Sequence, residues 1–254
     1  MGGGESDRAN PEELGGRAGF TRRTRRRFLL WGSASTMICL ALCAVAAQYP
    51  EVLDRWDQVL RLGPDRWRAA GAWLEPPLVT VSYAFGTVAS AIATAVMAGL
   101  LVINRQNRAA AYVVLVMAGT SLVTSLLKQY VGLARPAVAD PILEYTSNAM
   151  PSGHASNIAA AVTAACVLSA LFLRRRESRR LVLLFGVLAA LVVGLDRLML
   201  GVHTLTEVVA GYALGVGIGL LAACLVNPAR VSTERVTGSR DRATDAHESP
   251  PAAV

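Results

Sequence analysis

Long apolar runs alternate with short polar segments along the chain. Most of the runs reach about 20 residues, the length that an α-helix needs to cross a bilayer. They lie at 28–47, 78–103, 109–127, 155–173, 181–195 and 205–226. No alternating strand pattern accompanies them, and lipid leaves the edge of an open sheet without hydrogen-bond partners. The pattern therefore predicts an all-α fold, a polytopic membrane helix bundle with about six transmembrane helices.

Polar or amphipathic segments flank and interrupt the apolar runs. We expect 1–27 and 228–254, which are rich in charged residues, to be disordered cytoplasmic tails around a membrane domain at 28–227. Residues 49–75 place tryptophans and leucines among charges, the pattern of an amphipathic helix lying in the membrane interface. The stretch TRRRFLL at 24–30 also resembles a twin-arginine export signal. A basic flank is the preferred interpretation, and cleavage of the first span stays open.

The composition agrees with a membrane protein, since 53% of the 254 residues are hydrophobic. The formal net charge of +7 does not indicate a nucleic-acid partner, because the arginines cluster in alternate loops of the six-span chain. By the positive-inside rule, those loops and both termini face the cytoplasm, and the other loops face outward. All four cysteines lie within spans and give no disulfide framework. We therefore expect a multi-pass protein of the plasma membrane.

Three cationic side chains lie at or beside the outward ends of spans. Lys128 is the single lysine of the chain and ends the third span, Arg135 follows in the next loop, and Arg197 ends the fifth span. For Lys128 alone, a snorkelling membrane anchor is the alternative. Together, a compact ammonium and two planar guanidinium groups suit the oxygens of a phosphate. Charged groups at membrane depth are costly and usually functional.

The string PSGH at 151–154 predicts that the fourth span starts as a helix. Gly153 lets a ligand approach the backbone closely, and the free amides of the first turn, with the Ser152 hydroxyl, would hold an anion. Serine and glycine are also ordinary at helix caps. His154 alone is more often a hydrogen-bonded polar residue than a catalyst.

His203 and Glu207 are four positions apart, so the spacing predicts that they share one helix face. The carboxylate can accept from one ring nitrogen, which fixes the tautomer and leaves the other nitrogen free to attack. A histidine that is only hydrogen-bonded to its neighbour is an equal alternative for this pair in isolation. The third histidine, His247, lies in the C-terminal tail, so we expect no zinc site and no cofactor.

Taken together, these residues indicate phosphoryl transfer without a metal. Our hypothesis is that His203, oriented by Glu207, attacks phosphorus to give a phosphohistidine. His154 would protonate the leaving oxygen as a general acid, and would then act as the base for water. The three cations and the helix start would hold the non-bridging oxygens, where charge must be stabilised in the transition state.

Three motifs resemble the signature of the type 2 phosphatidic acid phosphatase (PAP2) superfamily of membrane lipid phosphatases. KQYVGLARP at 128–136 is similar to the first motif and PSGH at 151–154 to the second. Arg197 and His203, with five residues between them, are similar to the core of the third. The resemblance covers 78–226 and implies a six-helix fold, an outward active site and the residue roles given above.

Two positions depart from that signature. The third motif of the family usually begins with Ser-Arg and ends with Asp, whereas this chain has Asp196 and Glu207 there. Glu207 keeps the charge and adds one methylene, so it can still orient His203. Asp196 places an anion beside Arg197, where it would pair with the guanidinium and weaken phosphate binding. Asp196 is therefore a predicted modulator of the site.

We therefore expect a metal-independent phosphatase that hydrolyses a lipid phosphate, or a polyprenyl or lipid diphosphate, at the outer leaflet. The resemblance makes undecaprenyl diphosphate, phosphatidic acid and phosphatidylglycerol phosphate candidate substrates. Phosphotransfer to an acceptor other than water is one alternative, and a non-catalytic lipid-phosphate binding protein is another. The two site histidines argue against the binding protein, because binding alone needs only cations. The expected partners are the lipid substrate and the bilayer.

Overall fold

The computed structural model describes residues 20–59, 62–68, 71–136, 141–143 and 145–228. The predicted tails therefore lie mostly outside the described residues. The first helix begins at Arg22, six residues before the boundary predicted for the membrane domain. Thr21 caps it, since the Thr21 hydroxyl accepts a 3.1 Å hydrogen bond from the backbone N–H of Thr24. Arginine is a good helix former, so the basic stretch extends the apolar helix.

The described residues form helices connected by turns and loops, without a β-strand. The α-helices are α1 Arg22–Gln48, α2 Pro50–Val59, α3 Pro64–Trp67, α4 Glu75–Ala84, α5 Thr87–Ile103, α6 Asn107–Val131, α7 Gly153–Phe172, α8 Arg176–Met199 and α9 Leu205–Val226. Five of them are long and apolar enough to cross a membrane, namely α1, α6, α7, α8 and α9. A bent pair that includes α4 and α5 raises the number of candidate spans to six. The prediction of an all-α, multi-pass membrane fold is confirmed.

The apolar run predicted as the second span, at 78–103, is bent in the structure. Ala72–Ala84 and Thr87–Ile103 are inclined by 45° to each other. Gly86 lies at the break, where a Cβ atom would approach the Ser82 carbonyl oxygen to 3.1 Å. The same carbonyl oxygen lies 3.1 Å from Nε2 of His154. The bend therefore leaves the end of α4 beside a predicted catalytic residue.

The predicted interfacial segment at 49–75 is divided into α2, α3 and a short 3-10 helix, because glycine and proline interrupt it. On α2, the side chains of Trp56 and Val59 are exposed, whereas Asp57 is buried. Asp57 accepts hydrogen bonds from the backbone N–H of Thr206 at 2.9 Å and from its hydroxyl at 2.5 Å. This contact fixes α2 to the first turn of α9. Its placement in the membrane interface stays a prediction.

Helix α7 packs against α6, α8 and α9, and its contact with α9 is the closest because α9 presents glycines there. A Cβ atom at Gly211 would lie 2.6 Å from the Ser152 carbonyl oxygen, and one at Gly215 would lie 2.6 Å from the Ala160 nitrogen. A 3.1 Å hydrogen bond from the N–H of Ser152 to the carbonyl oxygen of Glu207 joins the two helices at their beginnings. The PSGH segment is thereby held next to the start of α9.

The close α7–α9 contact predicts that Gly215→Ala destabilises the protein. The added methyl group would meet backbone, which cannot move aside as a side chain can, so we expect a loss of about 1 to 3 kcal/mol. Gly99→Ala in α5 is the control, since among the described residues nothing but its own helix backbone and chain neighbours would lie within 4 Å of a Cβ atom at Gly99. Thermal unfolding in detergent measures both variants. Equal melting temperatures would contradict this packing.

Candidate active site

The three predicted motif segments lie together at one end of the bundle. Arg135, in the loop after α6, donates from Nη1 to the Val202 carbonyl oxygen in the α8–α9 turn at 2.9 Å. Lys128 at the end of α6 donates to the Ala149 carbonyl oxygen, just before α7, at 3.1 Å. With the hydrogen bond between the starts of α7 and α9, these contacts join all three segments. The grouping expected from topology is therefore present in the structure.

His203 and Glu207 are both buried and in direct contact. Nδ1 of His203 lies 2.6 Å from Oε2 of Glu207. Helix α9 begins at Leu205, so His203 precedes the helix and does not share its face, contrary to the sequence prediction. The same Glu207 oxygen accepts a 3.3 Å hydrogen bond from the Thr204 backbone N–H at the N-cap. The side chain of Glu207, one methylene longer than the aspartate of the family motif, therefore reaches back over the cap and orients His203.

The partners of His203 determine which ring nitrogen carries the proton. Nε2 lies 3.2 Å from Nη1 of Arg135. Because a guanidinium can only donate, Nε2 is the acceptor and the proton lies on Nδ1, facing Glu207. Burial, followed by the charge of Arg135, lowers the pKa of His203 well below its ordinary value of 6.5. The imidazole is therefore neutral at pH 7, with its lone pair on Nε2.

Arg135 holds the loop after α6 against the α8–α9 turn. Besides Val202 and His203, it binds Ser147, donating to the carbonyl oxygen at 2.9 Å and to the hydroxyl at 3.1 Å. Gly132 caps α6 in the left-handed region, with φ 65°, and turns the chain into this loop. Burial lowers the pKa of Arg135, and the charge of Glu207 opposes that shift. A guanidinium nevertheless stays protonated in proteins, so a full cation lies beside Nε2 of His203.

Lys128 lies in the last turn of α6 and joins that helix to the segment before α7. Its ammonium group donates to the carbonyl oxygens of Asn148 and Ala149. The side-chain amide of Asn148 donates in return to the Lys128 carbonyl oxygen at 2.9 Å. An ammonium group has three donors, and these carbonyls use two of them. The structure therefore keeps a cation at the site with donor capacity for a ligand.

Helix α7 starts where the PSGH string predicts, with Ser152 at the N-cap and Gly153 as its first residue. The Ser152 hydroxyl is fully buried and has no hydrogen-bond partner in the described part of the chain. Nε2 of His154 faces the Ser82 carbonyl oxygen at 3.1 Å. Because a carbonyl oxygen only accepts, this nitrogen carries a proton. The two histidines thus differ: Nε2 is a donor in His154 and an acceptor in His203.

Arg197 is fully buried between a carboxylate and two hydroxyl groups. Its Nε donates to Oδ2 of Asp196 at 2.9 Å, and its Nη2 donates to the same oxygen and to Oγ of Ser82. Its Nη1 donates to the Tyr145 hydroxyl at 2.9 Å. The pairing of Asp196 with Arg197 that the sequence suggested is therefore present. The neighbouring carboxylate already holds the guanidinium that a phosphate is predicted to use.

Three side chains at the site were not predicted from the sequence: Ser82, Tyr145 and Asp57. Ser82 is one serine in an apolar run and gives no signal. Tyr145 lies between the first two motifs, and that position is the only feature that could have pointed to it. Asp57 is one of several charges on the amphipathic segment, and only its burial against Thr206 distinguishes it.

A cavity of about 300 Å³ opens beside His203, Arg135 and Glu207. Asp54 and Gln58 of α2 form another part of its wall. This volume is at the lower end of the range for small-molecule sites and is large enough for a phosphate group with water. The cavity therefore gives a ligand room beside His203 and Arg135.

Comparison with known proteins supports the family resemblance of the three motifs. The PAP2 superfamily model matches residues 109–230, which include all three. Phosphatidylglycerophosphatase B from Bacillus subtilis (strain 168) is 34% identical over 103 residues, which are 40% of this chain and 50% of that protein. The chain thus spans about half the length of the curated relative that it matches.

A solved structure shares the fold. It is the crystal structure of the first transmembrane PAP2 type phosphatidylglycerolphosphate phosphatase from Bacillus subtilis. The match has a TM-score of 0.64 and 21% sequence identity, and it covers 75% of this chain and 93% of that chain. The match over 109–230 confirms the resemblance predicted from the motifs, and the shared fold agrees with it.

Proposed function

We propose that this protein is a lipid phosphatase that acts through a phosphohistidine formed on His203. The observation that carries the proposal is the opposite state of Nε2 in the two histidines, an acceptor in His203 and a donor in His154. A nucleophile needs a lone pair, and a general acid needs a proton. The contact of Glu207 with Nδ1 also stabilises the positive charge that His203 acquires when Nε2 bonds to phosphorus.

In the first step, a phosphate group replaces His203 as the partner of Arg135 Nη1, which frees the lone pair on Nε2. Nε2 then forms a bond to phosphorus while the bond between phosphorus and the leaving oxygen breaks. That oxygen takes the Nε2 proton of His154, which must be doubly protonated for this step. The negative charge of the bound phosphate favours that form.

In the second step, water attacks the phosphohistidine. His154, now neutral, accepts a proton from the water while the bond between nitrogen and phosphorus breaks, and inorganic phosphate leaves. The Ser152 hydroxyl is suited to bind a non-bridging oxygen, because it is buried and unpartnered among the described residues. The groups that hold these oxygens in both steps are Lys128, Arg135, Ser152, Gly153 and Arg197.

The substrate that we favour is phosphatidylglycerol phosphate, because the curated relative and the solved structure are both named for that activity. A polyprenyl diphosphate such as undecaprenyl diphosphate is the second candidate. Helices that span the bilayer suit an amphiphilic substrate. The arginine clusters of the alternate loops support cytoplasmic termini and a site at the outer leaflet of the plasma membrane.

We expect the purified protein to release phosphate in EDTA from a subset of a panel of lipid phosphates and diphosphates. His203→Gln keeps a polar side chain without a nucleophilic nitrogen, so its turnover should fall by at least about 1000-fold. His247→Gln, in the C-terminal tail, is the matched control and should keep its activity. Colorimetric phosphate release measures all three proteins, and their melting temperatures check the fold.

Normal turnover by folded His203→Gln would disprove the phosphohistidine. Phosphate transfer that requires an added acceptor alcohol would identify a phosphotransferase. Binding of lipid phosphates by the wild-type protein without either reaction would identify a non-catalytic binding protein.

Asp196 is expected to weaken phosphate binding by holding Arg197. We predict that Asp196→Ser lowers KM for the phosphate substrate by about threefold to tenfold, because it removes a competing anion. Asp196→Asn keeps the shape of the side chain and loses its charge, so it should lower KM as well. Steady-state kinetics measure both variants. An unchanged or raised KM in both variants would reject the competition between Asp196 and phosphate.

The activity should be lost in acid as His203 becomes protonated, because a protonated nitrogen cannot attack. The acid limb of kcat/KM is expected below pH 6.5 for the wild-type protein, since the pKa of His203 is lowered by burial and by Arg135. Arg135→Gln removes the second of these causes, so its acid limb should move to higher pH. Substrate ionisation is the same for both proteins, so the difference between the profiles reports on the enzyme. Coincident acid limbs would contradict this assignment.

A further inference from the structure

Tyr145 contacts three of the predicted site residues at once. Its hydroxyl accepts the 2.9 Å hydrogen bond from Arg197. The guanidinium carbon of Arg135 lies 4.5 Å from the centroid of its ring. The ring also meets the imidazole of His154 edge to face, with centroids 6.4 Å apart and planes at 84°. These contacts place one neutral aromatic side chain between both arginines and the predicted general acid.

The two guanidinium groups repel each other before a phosphate arrives, so something must hold them at the site. A carboxylate can hold a guanidinium, as Asp196 holds Arg197, but it also cancels positive charge that a phosphate needs. Tyr145 holds them differently. The negative face of its ring attracts Arg135, and its neutral hydroxyl accepts from Arg197. Neither contact adds a formal negative charge, so Tyr145, unlike Asp196, cancels none of the positive charge of the two arginines.

The position of Tyr145 does not depend on the arginines alone. With Ile142 and Leu143 of the same loop, the ring packs against a buried apolar cluster. That cluster is formed by Leu78, Leu200 and Val202. It joins α4 to the α8–α9 turn, so the ring is fixed by the two elements that carry Ser82 and His203.

We propose that Tyr145 is a positioning residue that sets the orientation of Arg135 and Arg197 for phosphate. The proposal rests on the phosphate-binding site proposed above and adds the residue that prepares it. It predicts that the hydroxyl and the ring act separately, the hydroxyl through Arg197 and the ring through Arg135.

Tyr145→Phe keeps the ring and removes the hydroxyl, whereas Tyr145→Leu removes both. We expect the affinity for inorganic phosphate, measured by calorimetry on the full-length protein in detergent, to fall about threefold to tenfold in the first variant. The phosphate affinity of Tyr145→Leu should fall about tenfold to 100-fold, because the cation–π contact is also lost. KM for the lipid substrate should rise in the same order. Tyr130→Leu is the matched control, since Tyr130 is 70% exposed on α6.

A double-mutant cycle separates positioning from a general structural role. In the Arg135→Gln background the ring has no cation to hold, so Tyr145→Phe and Tyr145→Leu should bind phosphate with nearly equal affinity. A role in packing alone predicts the same ratio between the two variants in both backgrounds. If Tyr145→Leu does not fold, Tyr145→Phe still tests the contact with Arg197, since it keeps the packed ring.

The results distinguish this proposal from the proposed function. Phosphate binding that depends on Tyr145, in a protein that hydrolyses no lipid of the panel, would support the positioning role and reject the phosphatase. Lipid turnover by the wild-type protein, with unchanged phosphate affinity and KM in both Tyr145 variants, would keep the phosphatase and overturn the positioning role. A wild-type protein that binds no inorganic phosphate would overturn it as well.

Discussion

The grouping of three cations at one end of a membrane bundle is the constraint on which the site depends. Like charges repel, and the surrounding low dielectric strengthens that repulsion. The chain offsets it with hydrogen-bond acceptors on loops and at the ends of helices. They are the carbonyls of Asn148, Ala149 and Val202, the oxygens of Ser147, and the side chains of Ser82, Tyr145 and Asp196. The cations therefore order the segments around α6, α7 and α9 as well as providing charge for a ligand.

The same cations contribute to the protonation state of the proposed nucleophile. Burial lowers the pKa of His203, and the three cations around the imidazole lower it further, so that it is neutral at neutral pH. Glu207 then decides which nitrogen keeps the proton, because it faces Nδ1. Arg135 Nη1 lies against Nε2 in the structure, and in the proposed reaction an anion takes the place of the imidazole. In the proposed reaction, binding of the phosphate and exposure of the attacking nitrogen are therefore one event.

Hydrophobic run length was sufficient to predict the membrane helices, because bilayer thickness fixes the length of a span. It could not predict the bend at Gly86, since the apolar run continues through the break. The spacing of His203 and Glu207 predicted their contact, but the helix starts only at Leu205 and the carboxylate reaches back over the cap. Contacts such as that of Tyr145 with Arg197 join positions 52 residues apart, so no local sequence pattern predicts them.

In the proposed phosphate site, stability and ligand affinity would oppose each other at Asp196. Arg197 is fully buried, and a buried guanidinium without a partner would cost several kcal/mol. Asp196 offsets that cost when no phosphate is bound, because its Oδ2 accepts hydrogen bonds from both Nε and Nη2 of Arg197. A phosphate at Arg197 must then compete with the carboxylate or lie beside it, where two anions repel. A serine at this position would leave the empty site less stable and the occupied site more stable. In the proposed site, Asp196 would therefore favour the empty folded protein over phosphate binding.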